Sequence, residues 1–78
     1  MPRFYFHVHN DIDAEDNEGV ELPDVGAARN YAAENARALV CESVRKGHLN
    51  LDHYILVTGD TGREVLKLTF RESFTLEG

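Results

Sequence analysis

Residues 7–16 read His7-Val8-His9-Asn10-Asp11-Ile12-Asp13-Ala14-Glu15-Asp16, two histidines and four carboxylates within ten residues. Imidazole with carboxylate is a donor set suited to zinc, nickel or ferrous iron. In an extended strand, side chains two apart share a side, so His7, His9 and Asp11 form the candidate metal set. A fourth ligand would come from His48 or His53. The competing reading is a strand end that runs into a hydrated acidic loop, and a pair of surface histidines fits it without any metal. Calcium of the helix-loop-helix kind needs glycine at loop position six and glutamate at position twelve. Counted from Asp11 these positions hold Asp16 and Leu22, and counted from Asp13 they hold Glu18 and Asp24, so neither register fits. The loop is expected to keep a hairpin solvated.

Nucleophilic chemistry has one candidate thiol, Cys41. On a helix it falls about 160° from the first apolar residue and points outward. Arg37 and Arg45, one turn to either side, could favour its thiolate, but a nucleophile needs a base and the histidines lie on other elements. The chain has no glycine-rich phosphate loop, no Cys-x-x-Cys and no Ser-His-Asp pattern. The core of so short a chain is too small for a deep apolar pocket. The expectation is a protein that is not an enzyme and holds no cofactor.

Composition bounds the partners. With 14 Asp and Glu against 8 Lys and Arg, the net charge of −6 repels polyanions on average, and only Arg45-Lys46 are adjacent. Nucleic acid would need a basic face that the sequence does not display. No apolar run approaches the roughly 20 residues of a membrane span. The single cysteine excludes an internal disulfide, and MPRFYF lacks the pattern of a secretory leader, so a cytoplasmic location is expected.

The elements that must position these residues are legible from their periods. The 78 residues form one domain, 1–78. Residues 3–9 alternate, with Phe4, Phe6 and Val8 on one side and Arg3, Tyr5, His7 and His9 on the other, which predicts a half-buried strand. Asn10–Glu18 is too polar to bury and makes a long, loose hairpin tip, after which Gly19-Val20-Glu21-Leu22 returns as a short strand. Asp24 is a good N-cap for a helix from Val25 to Lys46, closed by Gly47. At 100° per residue, Val25, Ala28, Ala32, Ala36, Leu39, Val40 and Ser43 share a stripe of mostly small residues. Arg29 at its margin is expected to pair with the acidic loop. Leu49 and Leu51 act as plugs in the connection that follows. Tyr54–Thr58 is a strand with Ile55 and Val57 inward. Gly59-Asp60-Thr61-Gly62 is a turn, and Glu64–Phe70 is the last strand, with Leu66, Leu68 and Phe70 inward. The tail tucks Phe74 against the core. The fold class is α+β, β-(β)-α-β-β, a three- to four-stranded mainly antiparallel sheet with one helix on one face.

The opening MPRFYFHV, the stretch Asp16-Asn17-Glu18-Gly19-Val20-Glu21-Leu22-Pro23-Asp24 with the alanine-rich helix after it, the hairpin from Ile55 to Leu66 and the closing Phe70-Arg71 form a pattern over nearly the whole chain. It resembles a family of short alphaproteobacterial proteins catalogued as a domain of unknown function. The resemblance implies a bacterial cytoplasmic protein of about this length and no particular activity.

What remains is surface. One helix covers one sheet face, and the other face carries Tyr5, His7, Tyr54, Leu56, Val65 and Lys67. Tyrosine and leucine in one exposed patch indicate a contact face for a protein partner or a second copy. Aromatic residues on an open sheet also stack single-stranded RNA in some domains, but the acidic total opposes that. The expected function is a self-associating or protein-interaction module. The alternatives are a metal-binding protein through His7, His9 and Asp11, and a nucleic-acid-associated regulator of the antitoxin kind.

Overall fold

The computed structural model describes residues 1–10 and 12–77. Strand β1 spans Arg3–His9, β2 Val20–Glu21, helix α1 Val25–Arg45, β3 Tyr54–Thr58 and β4 Glu64–Thr69, and a one-turn 3-10 helix follows over Phe70–Ser73. The sheet order is β2-β1-β3-β4, with every neighbouring pair antiparallel. Strands β2 and β3 therefore run parallel to each other on either side of β1, and α1 is the crossover that joins them, as a parallel connection requires. The expected β-(β)-α-β-β order and one-helix architecture are what the molecule adopts.

Local chemistry sets the helix ends. Asp24 is extended, and its Oδ1 accepts the Ala27 N–H at 2.8 Å, satisfying one of the donors that an α-helix leaves open in its first turn. At the other end Gly47, at φ +82°, donates to the Val44 carbonyl and His48 donates to that of Ser43. This paired 5→2 and 6→1 closure needs a left-handed residue, and glycine adopts that conformation without a Cβ clash.

The core divides size between its layers. Ala28, Ala32 and Ala36, one turn apart, are fully buried on α1, while the sheet supplies Phe4, Phe6, Ile55, Val57 and Leu68. Small residues on the rod and large ones on the sheet let the two backbones approach closely with interdigitated packing. The stripe starts later than its periodicity suggested. Val25 is 49% exposed, and burial on α1 begins at Ala28. Leu49 is likewise exposed, and Leu51 and Phe74 are half-buried.

Two further details differ from the pattern in the sequence. Strand β4 ends at Thr69, and Phe70 reaches the core from the 3-10 turn, where it is fully buried. Glu72 Oε1 accepts from the N–H and hydroxyl of Thr69, and these bonds hold its carboxyl below the ordinary glutamate value. Arg29 lies 4.0 Å from Glu72, not beside the acidic loop, because its helix position faces the C-terminal turn. Arg37 donates to the Ser73 carbonyl at 2.9 Å, and the Phe70 N–H donates to the His53 carbonyl at 2.7 Å, so helix and sheet both anchor the turn.

Substituting Ala32 with leucine should overpack the closest approach of rod and sheet and lower stability by about 1–3 kcal/mol, whereas Val25→Ala should change it by less than about 0.5 kcal/mol. Urea midpoints of the two variants check both; equal midpoints would contradict the alanine contact.

Candidate functional site

The histidines of β1 lie on the face opposite α1, since they alternate with buried Phe4 and Phe6. Cross-strand registry then builds rows. His9 stands beside Tyr54 and Tyr54 beside Thr69; His7 beside Leu56 and Leu56 beside Lys67; Tyr5 beside Thr58 and Thr58 beside Glu64. The His9 and Tyr54 rings stack at 4.7 Å with 20° between planes, and the Lys67 ammonium sits 4.2 Å from the Tyr54 ring centre. Tyr54 thus has an imidazole on its β1 side and a cation on its β4 side, which fixes its ring and presents it at the middle of the face. Tyr5, His7, Tyr54 and Leu56 are half-buried and Lys67 is exposed. Val65 is the extra residue of a bulge, since Val57 pairs with Leu66 and Thr58 with Glu64, and it leans on the margin of the core. No strand or helix of the described residues packs over this face, because α1 and the 3-10 turn both lie on the other.

The acidic segment is not a loose tip. After the strand it turns back along the free edge of β1, where Val8 and Ala14 exchange both backbone hydrogen bonds at 2.8 and 2.9 Å. Two residues on, Asp16 Oδ2 accepts the Phe6 N–H at 3.1 Å, and its Oδ1 accepts those of Glu18 and Gly19 at 3.0 and 3.1 Å. A carboxylate thereby stands where a neighbouring strand's carbonyl would, and covers an edge that the two-residue β2 is too short to cover. Partial burial is the largest single influence on Asp16 and pushes its pKa up. The bonds from Gly19, Phe6 and Glu18, with the nearby charge of His7 when protonated, together outweigh it and hold the carboxyl below the ordinary value of 3.8. Gly19 closes the segment at φ +72°, and a Cβ there would stand 2.8 Å from the Arg3 side chain and 2.9 Å from the Tyr5 ring.

This fold-back also decides what His7 can do. Its Nδ1 accepts the Asp16 N–H at 3.2 Å, so the neutral ring carries its proton on Nε2 and donates to Thr58 Oγ1 at 3.0 Å. Thr58, His7 and Asp16 look like a nucleophile, a base and its orienting acid, a set that sequence spacing did not suggest because 42 residues separate Asp16 from Thr58. The polarity is reversed. The imidazole donates to the hydroxyl where a base would accept from it, and Asp16 presents its N–H to the ring and its carboxylate elsewhere. Both ring nitrogens of His7 are engaged in this way, and His9 Nδ1 lies 3.3 Å from Asp13 Oδ1. Of the metal set inferred from the sequence, His7 and His9 share the face, and Asp11 lies outside the described residues. Among the described residues no group of three or more His, Cys, Asp or Glu is placed to hold a metal ion. Cys41 is exposed on the far side of α1. A concavity of about 550 Å³ lies on the helix side, between Val8, Ile12, Leu39 and Lys46, away from these rows.

A family model described as Domain of unknown function (DUF6894) matches residues 3–71, which takes in every strand and the helix. No curated protein and no solved structure matches the chain. No helix of the described residues is long and apolar enough to cross a membrane.

The sign of the Asp16 effect gives a pH dependence. Its folded pKa lies below the unfolded one, so its contribution to stability is complete above pH 4 and is lost as pH falls through the folded value. Asp16→Asn should cost about 1–2 kcal/mol at pH 7, allowing for partial solvation of the bonds lost, and should flatten the stability profile below pH 4. Denaturant midpoints of both proteins at pH 7 and pH 3 test this; parallel profiles would remove Asp16 as the clamp.

Proposed function

The chain belongs to the DUF6894 family, a domain of unknown function, and we propose that it is a docking module that engages a protein partner or a second copy through the open face of its sheet. The reading rests on one observation: Tyr5, Tyr54 and Leu56 stand half-exposed on a sheet face over which, among the described residues, no strand or helix packs. Tyrosine set in a rigid surround binds with little loss of conformational freedom, which is why such side chains anchor protein interfaces. The contact of Tyr54 with His9 and, diagonally, with Lys67 is preorganised in this sense, and the strands beneath it are fixed by the core.

The role is non-catalytic. The donor–acceptor order at His7 supports this, since the ring has no free acceptor for a hydroxyl proton. The cytoplasm is the compartment that suits an exposed, unbridged thiol at Cys41.

Tyr54→Glu and Leu56→Glu should each abolish docking while leaving the far-ultraviolet dichroism and the urea midpoint near those of the parent, because both positions lie outside the helix-side core. Sedimentation across a wide concentration range, with pull-downs by the parent and both variants, reads the outcome. A strict monomer whose captured proteins are the same with Tyr54→Glu as without it would end the reading.

A further inference from the structure

We infer that His7 is a proton-operated latch on the β1 edge: neutral, it holds the acidic segment against the strand, and protonated, it lets go. The ring nitrogens define the latch. Asp16 offers its backbone N–H to Nδ1 at 3.2 Å, and a backbone N–H can only donate. The bond therefore exists only while Nδ1 keeps its lone pair, and a proton there sets two donors against each other. Nε2 keeps its contact with Thr58 Oγ1, 3.0 Å away, in either state, so the change is confined to the Asp16 side. Release at that point works on the two ties beside it, the Asp16 carboxylate on the Phe6 N–H and the paired backbone bonds of Val8 and Ala14.

The groups that face His7 come from four elements. On β1 itself, Tyr5 and His9 stand two residues to either side. On β3, Leu56 lies opposite and the Thr58 hydroxyl accepts from the ring. On β4, Lys67 lies beyond Leu56 and Glu64 beyond Thr58. On the acidic segment, the Asp16 carboxylate attracts the protonated ring, and Asp13 is taken up by His9. The Asp16 attraction favours the proton, but its oxygens already accept from Phe6, Glu18 and Gly19. A carboxylate that turns to a new Nδ1–H has to leave one of them, so attraction at the carboxylate and repulsion at the N–H both loosen the clamp. The latch acts in a different range from the carboxylate. Imidazoles take up a proton at about pH 6.5, whereas the Asp16 carboxyl is held below 3.8 and stays ionised there. Mild acid thus bares backbone groups of β1 before Asp16 titrates, and a bare edge is a template for another strand.

Amide hydrogen exchange measured by NMR on the intact chain at pH 7.5 and pH 5, corrected for the intrinsic rate, tests the latch. The ring nitrogen shifts of His7 are followed in the same samples. The expected result is an Nε2–H tautomer at pH 7.5. As the ring takes its proton, Asp16 amide protection should fall by about fivefold, the scale of one hydrogen bond, with smaller losses at Phe6, Val8 and Ala14. His7→Gln keeps an acceptor for the Asp16 N–H and cannot titrate, so its Asp16 protection should be equal at the two pH values, while His9→Gln should behave as the parent. An Nδ1–H tautomer at pH 7.5, a ring still neutral at pH 5, or Asp16 protection unchanged once the ring is protonated would overturn the latch. So would a loss of the same size in His7→Gln. Should that variant fail to fold, the parent decides by itself, since the ring titration and the Asp16 exchange must share one midpoint.

Discussion

One α-helix about 10 Å across cannot cover both sides of a sheet, and in this molecule every other feature follows from that limit. The buried alanines of α1 bring the rod close to Ile55, Val57 and Leu68, so the layers share one dry interior. Proximity of this kind requires small residues on the rod, and the volume they forgo is supplied by two phenylalanines of β1 and by Phe70 from beyond the last strand. The opposite side of the sheet is furnished by its own side chains and, along β1, by the acidic segment, whose Asp16 and Asp13 meet His7 and His9. The sheet's own side chains arrange into rows, with Tyr54 flanked by an imidazole and an ammonium.

The same economy governs the edge. A two-residue β2 leaves most of β1 with unpaired backbone groups on one side, and such an edge invites another chain. The acidic segment answers this with a single backbone bridge and one carboxylate. Asp16 collects three N–H donors, and its own N–H orients the His7 ring. Acidic composition that reads as mere solvation in the sequence is therefore partly structural. The edge clamp and the open face are one assembly, because His7 belongs to both.

Much of this was written in local pattern. The alternation through Arg3–His9 specifies which histidines share a face, Asp24 and Gly47 mark the helix ends, and the glycines at 59 and 62 mark the hairpin. These are properties of a few adjacent residues and of backbone conformations that only some residue types accept. Val25 and Leu49 mislead for the same reason that the others inform: apolar character and period report a tendency to be buried, while the ends of the neighbouring elements decide whether anything is there to bury against.

By itself, then, the amino-acid order determined the four strands and the helix, their succession and the two-layer class. The tertiary structure alone decided that Asp16 reaches Phe6, that His7 donates to Thr58, that Arg29 turns to Glu72, and that Tyr54 lies between His9 and Lys67. Period and propensity act over one or two turns of chain. These four pairings depend on register and on how a loop folds back in three dimensions, where the partners are chosen by distance in space and a hydrogen bond or ring contact forms only within a few ångströms.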